Sequence, residues 1–140
     1  MTPKLLLRLA TLFLSIIALG HTVGGMLIPT SHGIQEDVLL RGLAAYRFEL
    51  MGVSCSHAEF YRGEGWYLSL SLVLFAAMCW MLSGLVDAQP KVVRSLLVFP
   101  GVFCIVSTVL CGLYFFPLPL INSALASIAL VTAAVKLRHA

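Results

Sequence analysis

Charge is what this chain has least of. Lys and Arg together number 9 and Asp and Glu 6, so charged side chains make up 11% of its 140 residues, against about 25% in an average soluble domain. The net charge of +3 comes from cations standing singly at the ends of apolar runs. With no basic patch, no nucleic-acid partner is expected. Cys55, Cys79, Cys104 and Cys111 show no C-x-x-C spacing. Three of these thiols lie inside apolar runs, where cysteine behaves as a small hydrophobe, so neither a disulfide nor a metal site is expected. G-x-S-x-G, H-E-x-x-H, phosphate-loop and dinucleotide fingerprints are all missing. A bis-histidine haem needs histidines on facing spans, and only His21 falls within one. A disulfide-forming thiol enzyme needs paired thiols at the membrane edge, and only Cys55 is placed there. No cofactor is expected.

Oil is what the chain has in excess. Hydrophobic residues make up 60% of it, with a mean hydropathy of +0.99, well above the roughly 45–50% apolar share of soluble domains. At about 20 residues per crossing, four passes use most of the length and leave no room for a separate soluble domain. The expected fold is all-α, a single integral membrane domain over residues 1–140. It is a four-helix transmembrane bundle with an additional amphipathic extracytoplasmic helix. Spans are expected at about 5–28, 64–86, 92–116 and 119–137, and the interfacial helix at about 36–51.

The first apolar run follows Lys4 and Arg8, and a weak small-residue site at Ala18-Leu19-Gly20 gives it some likeness to a signal peptide. It continues past that site to Leu27-Ile28, with Pro29 as its stop, and a membrane helix is the better reading. Gly20 and Gly24 form a G-x-x-x-G, which lets another helix approach closely in lipid; a homo-oligomer through these glycines is the expected assembly. Thr30, Ser31, His32 and Gly33 open a loop. The acidic first turn Glu36-Asp37 suits a helix N-terminus, Gly52 a C-terminal stop. Leu39, Leu43, Tyr46 and Leu50 line one stripe of that helix, with Asp37, Arg41 and Arg47 off it, so it should lie on the bilayer surface or cap the bundle.

Ser56-His57-Ala58-Glu59 has the pattern of a capping box and starts the second long helix. Asp87-Ala88-Gln89-Pro90 ends it. In the third span Pro100-Gly101 should kink the helix, and Cys104, Ser107, Thr108, Cys111 and Gly112 offer a small, mildly polar packing face. Phe116-Pro117-Leu118-Pro119-Leu120 reads as a short turn before the last span.

With four spans, Lys4, Arg8, Lys91, Arg94, Lys136 and Arg138 share one side against a single acid, Asp87. Residues 29–65 hold Arg41, Arg47 and Arg62 against Glu36, Asp37, Glu49, Glu59 and Glu64. By the positive-inside rule both termini are expected to be cytoplasmic and residues 29–65 extracytoplasmic or lumenal.

The scarce ionisable groups gather between Tyr46 and Trp66. On a helix starting at Ser56, His57, Tyr61 and Glu64 share one face and Glu59 and Arg62 another. Structural duties account for part of this: Glu59 for the capping box, Arg62 for pairing with Glu59 or an interfacial position, His57 for an exposed first turn. Tyr61, Trp66 and Tyr67 suit an interfacial aromatic belt. His21 and Glu64 are harder to dismiss, because ionisable groups near membrane depth are costly and tend to face a partner or cavity. The candidate catalytic residues are therefore Glu64, Glu49, His21 and His57. Tyr61, Trp66, Tyr46 and Met51 are the candidate substrate-binding residues. A carboxylate at an apolar boundary has its neutral form favoured, and histidine exchanges protons near neutral pH, which together suit proton-transfer work.

Gly20-His21-Thr22-Val23-Gly24-Gly25, followed by Met51-Gly52 and Phe60-Tyr61-Arg62-Gly63-Glu64-Gly65, resembles small bacterial four-span membrane proteins whose first helix carries Gly-His-Thr-x-Gly-Gly. The resemblance covers roughly residues 20–85, with later spans similar in hydropathy only, and it implies an architecture and candidate positions. More loosely, the chain is similar to sterol isomerase-like and membrane terpene-cyclase proteins, which protonate lipophilic substrates. The expected function is therefore acid/base chemistry, of isomerase or cyclase type, on a lipophilic small molecule entering from the membrane. The alternative is a non-catalytic membrane protein that binds a lipid or assembles with a larger membrane partner.

Overall fold

Four helices long and apolar enough to cross a membrane dominate the computed structural model: Pro3–Leu27, His57–Leu85, Pro90–Tyr114 and Pro117–Lys136. The shortest, 20 residues, rises about 30 Å, the thickness of the hydrocarbon core. The structure describes residues 1–28 and 32–138. The expected stop at Pro29 and the loop opening at Thr30 and Ser31 lie outside the described residues. The fold is an all-α bundle, and the chain is a multi-pass membrane protein by the length and apolarity of these helices.

The elements in order are α1 (Pro3–Leu19), a π-helical segment (Gly20–Leu27), α2 (Ile34–Ala45), β1 (Arg47–Leu50), β2 (Val53–Ser56), α3 (His57–Leu85), α4 (Pro90–Leu96), α5 (Val98–Tyr114) and α6 (Pro117–Lys136). They form two compact units, one of Leu19–Leu70 and one of Met1–Ala18 with Ser71–Ala140.

In the larger unit small side chains do the packing. Along α6 the buried residues include Ser123, Ala126, Leu130 and Ala133, spaced so that one stripe turns inward. Lipid is as apolar as leucine, so burying oil drives little here; close van der Waals contact and interhelical hydrogen bonds decide. Thr108 bonds back to the Cys104 carbonyl at 2.8 Å and meets the Ser127 hydroxyl of α6 at 3.3 Å. Thr11 reaches from α1 to the Ala76 carbonyl at 3.3 Å. Arg8 lies 5.3 Å over the Trp80 ring, and Lys4 stands 3.8 Å from Asp87. Pairs 11–76 and 8–80, with 4–87 just past the end of α3, make α1 antiparallel to this part of that helix. Phe75 stacks on Phe103 of α5 at 4.4 Å.

Pro100 interrupts the third span as its chemistry dictates, although the break falls at Leu97, one turn earlier than Pro100-Gly101. Proline has no N–H for the carbonyl four residues back and crowds it, and that carbonyl belongs to Leu96. The last span also starts earlier than expected. Pro117 sits at the first helical position, where a missing N–H costs nothing, so the turn shrinks to Phe115 and Phe116.

The expected interfacial helix over 36–51 requires correction. Helix α2 stops at Ala45, and residues 47–56 form an antiparallel hairpin pairing Arg47 with Ser56, Phe48 with Cys55, Glu49 with Ser54 and Leu50 with Val53. Gly52 is a turn residue instead of a helix stop: Met51 and Gly52 have φ of 53° and 82°, the paired positive values of the two-residue turn whose twist suits a hairpin. Tyr46, Phe48 and Val53 favour a pleated surface, which resolves the apparent 46–50 helical stripe in favour of strand.

Candidate functional site

The smaller unit brings together a polar group that charged residues alone do not reveal. Past Leu19 the backbone widens into the π-helical segment, which ends with the Ile28 N–H bonded to the Val23 carbonyl at 3.0 Å. This winding is rare, and its single-turn form is frequent at functional sites. It carries His21 and Thr22, both half-buried. His21 Nδ1 lies 3.0 Å from Ser69 Oγ of α3, and the Thr22 hydroxyl donates to the same oxygen at 2.9 Å. Ser69 is 4% exposed.

The hydroxyl of Ser69 accepts from Thr22 and has one hydrogen of its own to pass to Nδ1. This relay selects the tautomer with hydrogen on Nε2, an assignment from the bonding pattern. Gly65, one turn before Ser69 on the same face, makes room for the neighbours: a methyl group there would overlap the Met26 thioether and lie 3.8 Å from His21 Cε1. Chemically, the cluster offers one imidazole nitrogen beside a soft sulfur and two satisfied hydroxyls. It can donate a hydrogen bond or exchange one proton.

The other candidates go elsewhere. His57 stacks on Tyr46 at 6.1 Å and meets Phe48 at a tilt 4.9 Å away, and Phe48 in turn lies 5.8 Å from Phe60. These rings pack the hairpin onto the first turn of α3. Glu59 closes the capping box, accepting from the Ser56 N–H at 2.7 Å while its own N–H donates to Ser56 Oγ at 3.3 Å. Its ionic partner is Arg47 at 3.4 Å, and of the two roles expected for Arg62, pairing with Glu59 or an interfacial position, the pairing is not formed. Arg47 also donates to the Ser54 carbonyl at 2.7 Å and the Ser54 hydroxyl at 3.1 Å, so it bridges the two strands while its Glu59 contact ties the hairpin to α3.

Glu49 and Glu64 are both exposed, and neither has a hydrogen-bonding or ionic partner among the described residues. Tyr61 and Trp66 are exposed, and Met51 at the hairpin tip is 99% exposed. His32 is an exposed loop residue, as expected, and it binds Glu36, its N–H and its Nδ1 (2.8 Å) both meeting Oε2. That carboxyl is held below its ordinary range, first by the His32 N–H and then by the ring. No carboxylate pairs with His21 among the described residues.

Sequence reasoning missed Ser69, hidden in the run Leu68-Ser69-Leu70-Ser71-Leu72. The available signal was a heptad of small side chains on α3, where Gly65, Ser69, Ala76, Cys79 and Ser83 fall on one stripe. Comparison with protein-family models, with curated proteins and with solved structures gave no match.

Proposed function

We propose that this chain is an integral membrane protein that takes a lipophilic small molecule or lipid from the bilayer and holds its polar group at His21, Thr22 and Ser69. The observation that carries the reading is the relay from Thr22 through Ser69 to His21 Nδ1, set in helices otherwise rich in apolar side chains. Polar groups at membrane depth are expensive and concentrate where they serve a ligand. The relay leaves Nε2 as the free pole. The cation distribution supports cytoplasmic termini, and the resemblance to bacterial four-span proteins supports a bacterial inner membrane. Gly20 and Gly24, where an added Cβ would meet nothing within 4 Å, leave a face open for a second copy.

The test is mass spectrometry of lipophilic compounds that co-purify with the protein. The wild-type chain should carry a bound compound that His21→Ala and Ser69→Ala both lose. Equal retention by both variants overturns the reading.

Isomerase- or cyclase-type acid/base chemistry on that molecule is the second reading. It is favoured by the position of His21 in a π-helical distortion and by the ability of imidazole to exchange protons near neutral pH. Since no carboxylate pairs with His21 among the described residues, the proton transfer falls to His21. Once the bound compound is known, Glu64→Gln should leave its conversion intact and His21→Ala should abolish it. The opposite pattern would return the chemistry to the carboxylate.

A further inference from the structure

A second feature lies in the larger unit and does not depend on His21. Helices α4, α5 and α6 enclose a groove of about 400 Å³ whose walls include Val98, Val102, Ile105, Val131 and Val135. Gly101 opens its floor, since a Cβ there would meet nothing within 4 Å. Arg94 and Arg138 line the same groove. Both are exposed, and neither has a carboxylate partner among the described residues. The helices α5 and α6 are joined by the two-residue turn Phe115-Phe116 and run antiparallel, so both arginines fall at the end opposite that turn. From Arg94 to Ile105 the helices rise about 16 Å, close to half of the roughly 30 Å hydrocarbon core, which is the depth of one leaflet.

We propose that this groove is a site for an anionic phospholipid, with one acyl chain along the valine-lined walls and the phosphate between Arg94 and Arg138. An apolar channel one leaflet deep fits a lipid tail. Two guanidinium groups at its polar end, without a carboxylate partner among the described residues, fit a phosphate, which they can bind through paired N–H donors. Basic pockets between membrane helices recognise anionic headgroups on the same physical basis.

The experiment uses the full chain in nanodiscs of phosphatidylglycerol or of phosphatidylcholine, followed by detergent extraction and native mass spectrometry of retained lipid. Phosphatidylglycerol should be retained and phosphatidylcholine stripped. Free inorganic phosphate should not displace the retained lipid, because the tail contributes to binding. Arg94→Gln with Arg138→Gln should lower retention about 25-fold, the product of about fivefold for each arginine near the surface. Gly101→Leu keeps both charges, adds bulk where a Cβ meets nothing within 4 Å and favours helix; it should lower retention while circular dichroism stays unchanged. Equal retention of the two lipids, displacement by phosphate alone, or no effect of either variant overturns the site. So does a dimer that Gly101→Leu dissociates with no lipid bound, which would make a second copy the occupant.

Discussion

Ser69 is one hydroxyl in a run of leucines, yet two partners depend on it. Ser69→Ala leaves Thr22 and His21 Nδ1 without their shared oxygen. Interhelical hydrogen bonds in membranes contribute about 0.6 kcal/mol on average and about 1.7 at most, so a loss in this range is expected in reversible unfolding from detergent micelles. Ser56 lends itself to a similar test. It caps α3 reciprocally with Glu59, and Ser56→Ala should cost about 1 kcal/mol, with faster amide exchange at residues 57–60. Glu36 supplies a pH dependence. Its carboxyl is held low by the His32 N–H, so the contact is complete above the ordinary carboxylate value of about 4.3 and is lost as pH falls through the lower folded value. The His32 amide resonance should therefore titrate below that ordinary value; a midpoint at or above it would refute the bond. The capping box was readable because Ser56 and Glu59 stand at the required spacing. The His32 contact was not, because it depends on where a loop places a backbone N–H.

The hairpin is the element that sequence reading mistook. Leu39, Leu43, Tyr46 and Leu50 satisfy a helical period, but Tyr46, Phe48 and Leu50 satisfy a period of two equally well, and short apolar runs cannot be assigned on period alone. The turn decides the matter. Met51 takes a positive φ of 53° that few side chains favour, whereas asparagine accepts it readily and Asn-Gly is the preferred pair for this turn. Met51→Asn should stabilise the hairpin by a few tenths to about 1 kcal/mol, read from slower exchange of the strand amides. Gly52→Val, at a φ of 82°, should destabilise it by at least 1 kcal/mol or so. The π-helical winding of Gly20–Leu27 was equally hidden, since the apolar pattern there continues that of α1 and the difference lies in the hydrogen-bond register.

At the scale of the molecule the spans were the legible part, because a chain so poor in charge can satisfy its backbone in lipid only with helices or a closed barrel. The expected orientation rests on a separate signal, the cations of the two ends together with Lys91 and Arg94 of α4. Single cysteines introduced at residues 36 and 88 into a variant lacking the native thiols should label from opposite sides, residue 88 from the cytoplasm. Labelling of both from one side would refute the topology. The small residues buried on α6 carry a broader implication. Where Ser123, Ala126 and Ala133 are almost wholly enclosed, little side-chain volume remains to be removed, and truncation opens scarcely any cavity. Enlargement is the damaging direction, since one leucine at Ala126 would wedge apart neighbours whose attraction depends on touching. Tolerance to substitution along this face is therefore expected to fall with rising side-chain volume, the reverse of the usual vulnerability of an aqueous protein core.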